Sequence, residues 1–302
     1  MSETGSRTGT TSDAARPGID RLALSAALVT VVLWASAFVG IRAAAVDFSP
    51  GVIALGRLVI GGLALGLLVA ARRPGWPSRR AMVPILVVGI VWFGAYNIAL
   101  NTAERHVDAG TAAMLVHIAP LLVALLAGLT LGEGFPRMIV IGSLVAFGGV
   151  VLIGTATSTG RAEIWGVVLC VTAAVSYAVG VVTQKPLLSR LPAAEVTWLA
   201  CTIGAVVCLP FAPTLVDELR SASGATIWWV VYLGAFPTAL GFTTWAFALR
   251  RTSAGRMGAT TYLVPVVAIV LGWLFLGETP ALLALAGGAV CLAGVAISRR
   301  SR

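Results

Sequence analysis

One stretch of this 302-residue chain occurs twice. Ala109 to Glu133, AGTAAMLVHIAPLLVALLAGLTLGE, falls on Ala254 to Glu278, AGRMGATTYLVPVVAIVLGWLFLGE, when the sequence is shifted by 145 residues without a gap. The copies share Gly110/Gly255, Pro120/Pro265, Leu126/Leu271 and the closing triplet Leu131-Gly132-Glu133/Leu276-Gly277-Glu278. The register runs on through Gly142/Gly287 and Gly149/Gly294. Chance in an apolar sequence supplies matched Leu and Val, not a proline, a series of glycines and a glutamate. The chain reads as an internal duplication, so one module must be used twice.

The composition of the module decides its solvent. Hydrophobic residues make up 58% of the chain and charged residues 11%, against about 25% charged in ordinary soluble domains. Mean hydropathy is +0.96. There are too few charges to cover a water-facing surface, so the partner surface is the lipid bilayer. A spanning helix needs about 20 apolar residues. Ten blocks qualify, here spans 1 to 10: 22–43, 51–71, 82–102, 109–132, 137–155, 164–184, 194–213, 226–247, 254–277 and 280–298. The short connections carry the turn residues and most of the charges, as in Asp47-Phe48-Ser49-Pro50 and Gly134-Phe135-Pro136. Residues 1–20 are polar and rich in Ser, Thr and Gly, and are expected to be a disordered cytoplasmic tail. The apolar run after them is too long for a secretion signal. The predicted organisation is a first five-helix repeat at 21–155, a second at 160–298 and a basic cytoplasmic tail at 299–302.

Arginine placement orients the chain. With the N-terminus inside, sixteen of the 21 Lys and Arg fall on inner segments. Arg42, Arg105, Arg161 and Arg220 fall on outer ones, and Arg57 lies within span 2. Both termini are then cytoplasmic. Five spans per module is an odd number, so the two copies cross the membrane in opposite directions. Inverted repeats of this kind characterise secondary transporters. The formal charge of +9 does not signal nucleic acid, because the arginines lie between apolar blocks and not along one stripe. Cys170, Cys201, Cys208 and Cys291 sit inside apolar blocks and read as packing residues. Their spacing, with two histidines in the chain, predicts no metal site and no cofactor.

The paired modules, each with an Ala-Gly start, a mid-helix proline and a Leu-Gly-Glu end, resemble the EamA family of the drug/metabolite transporter superfamily. The Ser49-Pro50…Arg57 stretch of span 2 adds to the resemblance, which covers nearly all of residues 22–298. It implies a bacterial inner-membrane exporter of amino acids, other metabolites or drugs, with a cavity between the halves. It also implies that spans 1, 3, 4, 6, 8 and 9 line that cavity.

Several residues stand out as carriers of transport. Arg57 is a charge inside a span, which must face protein or water. Its guanidinium suits a substrate carboxylate or phosphate, and equally a tie between helices or a snorkel to the surface. His117, three residues before Pro120, is the candidate for a coupled proton, for lining the cavity, or for a neutral interhelical hydrogen bond. Its counterpart in the second module is Tyr262. Trp34, Asn97, Tyr177, Trp245 and Tyr262 complete the substrate-binding candidates, as aromatic walls with few polar groups suit a small molecule. Pro120 and Pro265 each remove an amide donor within a span and are candidate hinges or fixed kinks. Glu133 and Glu278 read as turn residues beside the starts of spans 5 and 10, with Pro136, Pro280 and Thr279 shaping those starts. The matched glycines of spans 5 and 10 suit them to pack together or against a second protomer, so a homodimer is open.

The expected fold is all-α and polytopic, with ten transmembrane helices in two inverted five-helix repeats. The expected function is export of a small metabolite, amino acid-like compound or drug by alternating access, with proton coupling as one option and uncoupled facilitation as the alternative. No nucleotide-binding GxxxxGK[S/T] loop is present. A membrane enzyme would need a cluster of interior catalytic groups, and His117 stands apart from any carboxylate in the sequence.

Overall fold

The computed structural model describes residues 20–71, 76–103, 105–106, 115–157, 163–276 and 281–300. The regular structure among them is helical. The Ala109-Gly110 start of the first module, the Glu278-Thr279-Pro280 turn, Arg72 and Arg73, and the tail at 1–19 lie outside the described residues.

Capping fixes the helix starts. Helix α1 (Arg21–Ala44) begins where the Ala23 amide donates to Asp20 Oδ1 at 3.0 Å. Helix α2 (Pro50–Ala70) opens on proline, whose missing amide would have no helical partner there anyway. Helix α3 (Arg79–Ala103) follows the cap Ser78. Helices α4 (Ala119–Thr130) and α5 (Arg137–Thr157) complete the first module. The second module holds α6 (Ile164–Leu187), α7 (Ala193–Val207), α8 (Ala212–Ser221), α9 (Gly224–Arg251), α10 (Ala254–Thr260), α11 (Leu263–Leu276) and α12 (Leu282–Arg299). Among the described residues, seven helices are long and apolar enough to cross a membrane. The count is eight if α7 and the segment after it, bent by 51°, form one span. The apolar helices α4 and α12 are shorter and coincide with spans 4 and 10.

Two features mark the long helices. Helix α3 carries a π-wound stretch at Val88–Ala95, and α9 carries another at Gly234–Leu240. These positions correspond under the 145-residue shift. Each holds a glycine against a neighbour: a Cβ on Gly89 would lie 2.6 Å from Ile203 Cβ, and one on Gly234 would lie 2.6 Å from Ile60 Cβ. The second feature is a break before each mid-span proline. The chain leaves α-helical winding at 117–118, before Pro120, and at 261–262, before Pro265. Bonds from Ile118 N to Leu115 O and from Thr261 N to Gly258 O replace the normal ladder there.

The packing repeats between the halves. Span 1 lies against spans 8 and 9, and span 6 against spans 3 and 4. Span 2 lies against 7 and 8, and span 7 against 2 and 3. Span 4 meets 9, and span 5 meets 10. In the last pair α5 and α12 pack on each other through the matched glycines. A Cβ on Gly142 would lie 2.6 Å from Gly294 O, and one on Gly149 would lie 2.6 Å from Gly287 O. Residue numbers rise on one helix as they fall on the other, so the two helices run antiparallel.

Glu133 has a different partner from the one its position suggests. Its carboxylate accepts the Ala254 amide at 2.7 Å and the Gly255 amide at 3.2 Å. It therefore caps the start of span 9, beside the local cap Ser253. The sequence places Glu133 next to span 5, but the packing of the two halves brings it to span 9.

Candidate functional site

A cavity of about 280 Å³ lies between the halves. Toward the end of the bundle where α1 finishes, it is lined by Ile41, the exposed Arg42, Leu100 and Val116. Deeper in, spans 2, 3 and 4 contribute Arg57, Asn97 and His117, which are 7%, 4% and 8% exposed. Beside them lies a cluster of aromatic rings. Trp34 of α1 and Trp92 of α3 meet edge to face at 6.5 Å, and Tyr177 of α6 lies 5.2 Å from Trp92. Phe242 of α9 lies 5.1 Å from Trp34 and 5.2 Å from Trp92. Edge-to-face and offset pairs of this kind contribute about 0.5–1.5 kcal/mol each beyond area burial, so the rings support one another. Gly180 makes room for them, since a Cβ there would meet Trp92 Cβ at 2.5 Å.

The polar groups are held by local helix geometry. Asn97 follows the π-wound stretch of α3, and its Nδ2 donates to Phe93 O at 2.8 Å. Arg57 is on the first half of α2, with its Nε donating to Thr238 Oγ1 at 3.0 Å. Thr238 in turn donates to Leu233 O at 2.8 Å, inside the π-wound stretch of α9. His117 sits in the break before Pro120, 6.5 Å ring to ring from Tyr262. No acidic residue lines the cavity among the described residues.

Of the residues singled out in the sequence, Arg57, Asn97, His117, Trp34 and Tyr177 are brought to this one cavity, and Pro120 lines it too. Trp245 and Tyr262 do not line it. Trp245 stacks 5.0 Å behind Trp34, and Tyr262 is fully buried beside spans 5 and 10. Pro265 also lies off the wall. Arg42, Tyr96, Phe242 and Thr261 line it without having been chosen. Arg42 looked like an end-of-span arginine, and Phe242 like any apolar helix residue. The four cysteines are buried and free.

With this geometry in hand, comparison with known proteins is informative. The profile of the EamA-like transporter family matches residues 21–155 and 164–300. A "Probable terminal-alkyne amino-acid exporter" of Streptantibioticus cattleyicolor is 38% identical, over 92% of this chain and 93% of that one. A "Probable amino-acid metabolite efflux pump" of Salmonella typhimurium is 26% identical, over 90% and 93%. The "Pseudopaline exporter CntI" of Pseudomonas aeruginosa is 27% identical, over 82% and 85%. A solved crystal structure shares the fold, with a TM-score of 0.76 at 20% identity over 91% of this chain and 96% of its own. Two matches of one family, one on each module, account for nearly the whole chain. This chain belongs to the EamA-like transporter family.

Proposed function

We propose that the protein is a secondary exporter of the bacterial inner membrane, moving a small amino acid-like metabolite or drug by alternating access. It has ten spans in two inverted repeats, at 21–155 and 160–298, with both termini in the cytoplasm. The observation that carries the reading is the cavity between the halves, lined by Arg57, Asn97 and His117 beside a cluster of aromatic rings. A site in that position, shared by two opposed modules, is what alternating access requires. The antiparallel glycine packing of α5 on α12 and the paired breaks at 117–118 and 261–262 support opposed modules. The names of the relatives support export and a small-molecule cargo, and argue for a transporter over an enzyme.

His117 is the proposed proton site. It lines the cavity, and histidine changes protonation near neutral pH. Pro120 and Pro265 are the proposed hinges. The test is flux through purified protein in liposomes, with and without a pH gradient. Coupling predicts that the gradient accelerates flux in wild type and not in His117→Ala. Equal flux with and without the gradient would leave an uncoupled facilitator.

A further inference from the structure

The cavity contains a positive charge that no carboxylate of the described residues balances. Arg57 is 7% exposed, and among the described residues no carboxylate pairs with it. A buried cation in an apolar bundle is costly unless an anion or strong acceptors meet it. Thr238 meets one edge. Its hydroxyl donates to Leu233 O, so toward Arg57 it can only accept, and it takes the Nε proton at 3.0 Å. Thr238 is fully buried and cannot be replaced there by bulk water. With Nε held, the guanidinium is left with both Nη atoms on its other edge, the pair that grips a carboxylate in bidentate fashion.

We infer that Thr238 is a positioning residue that aims the Nη edge of Arg57 at the carboxylate of an organic acid. The body of that acid lies against Trp34, Trp92, Tyr177 and Phe242. An ammonium group on the same molecule finds aromatic faces in place of an acid, since cation–π contact needs no carboxylate. The cargo is then a small monocarboxylate or zwitterion with an apolar body, and not a cation. This rests on the transport reading of the cavity and adds the chemistry of its substrate.

The test uses the full-length protein in detergent. Melting temperature and tryptophan fluorescence are followed against leucine, methionine, phenylalanine and 4-methylpentanoic acid. The carboxamide of each, which keeps the body and loses the anion, is the control. The inference predicts that acids bind and raise the melting temperature while their amides do not. Thr238→Val, which keeps the shape and loses the acceptor, should weaken acid binding on the order of tenfold. It should leave amide binding where it was, and Thr238→Ser should restore the acid. Amides binding as well as acids, an unchanged affinity in Thr238→Val, or a panel with no acid that binds would each overturn it. The acid–amide contrast is read on wild type, so it holds even where a variant does not fold. Failure of the export reading looks different: acids would bind selectively, yet liposomes would show no flux.

Discussion

Arg57 illustrates how one side chain reports on both structure and function. If it were a structural tie between spans 2 and 8, Arg57→Leu would lower the melting temperature. The account predicts the opposite balance: acid binding is lost, while stability is kept or raised, because an unpaired buried charge is removed. A thermal melt with and without the acid separates the two. Asp47, in the connection between α1 and α2, tests a contact between the modules. Its Oδ2 accepts the Ser223 amide at 2.9 Å, and that bond, followed by the Thr226 hydroxyl, holds the carboxyl below its usual range. A lowered carboxylate stabilises fully above its unfolded pKa, and the gain is lost as pH falls through the folded value. Wild type should therefore lose thermal stability more steeply than Asp47→Asn as pH falls below about 4; parallel curves would show that the contact contributes nothing. Arg57, Asn97, His117, Trp34 and Tyr177 were legible because an isolated polar or aromatic residue inside an apolar block is a local signal. Thr238 was not legible. Hydroxyls in apolar helices are common, and only the fold shows that this one stands between Arg57 and a π-wound carbonyl. Trp245 and Tyr262 had the same sequence signal as Trp34, and their depth behind the wall depends on helix rotation that hydropathy does not encode.

Helices carry the next set of consequences. The glycines of α5 and α12 let the two backbones touch, so a side chain there meets main chain that cannot move aside. Gly149→Val should cost about 1–3 kcal/mol or more, since its Cβ alone would lie 2.6 Å from the Cys291 amide and from Gly287 O. A fall in melting temperature no larger than that of an exposed α5 substitution would contradict this. The carboxylate of Glu133 caps span 9 from outside, and Glu133→Ala should cost on the order of 1–2 kcal/mol, with Glu133→Gln losing less because one acceptor remains. Pro120→Ala restores an amide at the break before α4. It should leave acid affinity near wild type and slow turnover, which a paired measurement of Kd and flux separates. The seven long apolar helices were legible from length and apolarity, and the breaks at 117–118 and 261–262 from the prolines that follow them. The π-wound stretches were not, because one extra residue per turn leaves no mark on an all-apolar pattern. Nor was the partner of Glu133, which sits 121 residues away in the chain.

The duplication at a shift of 145 residues made two modules of one family readable in the sequence, and a family match on each module agrees with that. Coordinates add the symmetry of the packing, in which span 1 meets 8 and 9 as span 6 meets 3 and 4. They also add the lining of the cavity, with Arg42 near the end of α1 and aromatic rings from α1, α3, α6 and α9. In the proposed alternating access, the cavity between two opposed modules would open to each side in turn, through two states related by the pseudo-two-fold axis of the modules. The central claim is that this cavity carries amino acid-like acids across the membrane. The most direct test loads liposomes containing the purified protein with a mixture of the standard amino acids and follows their release by mass spectrometry. The account predicts that a subset with apolar side chains leaves through wild type and is retained with Arg57→Leu. Release of the same compounds at the same rate through Arg57→Leu, or retention of the whole mixture by wild type, would contradict it.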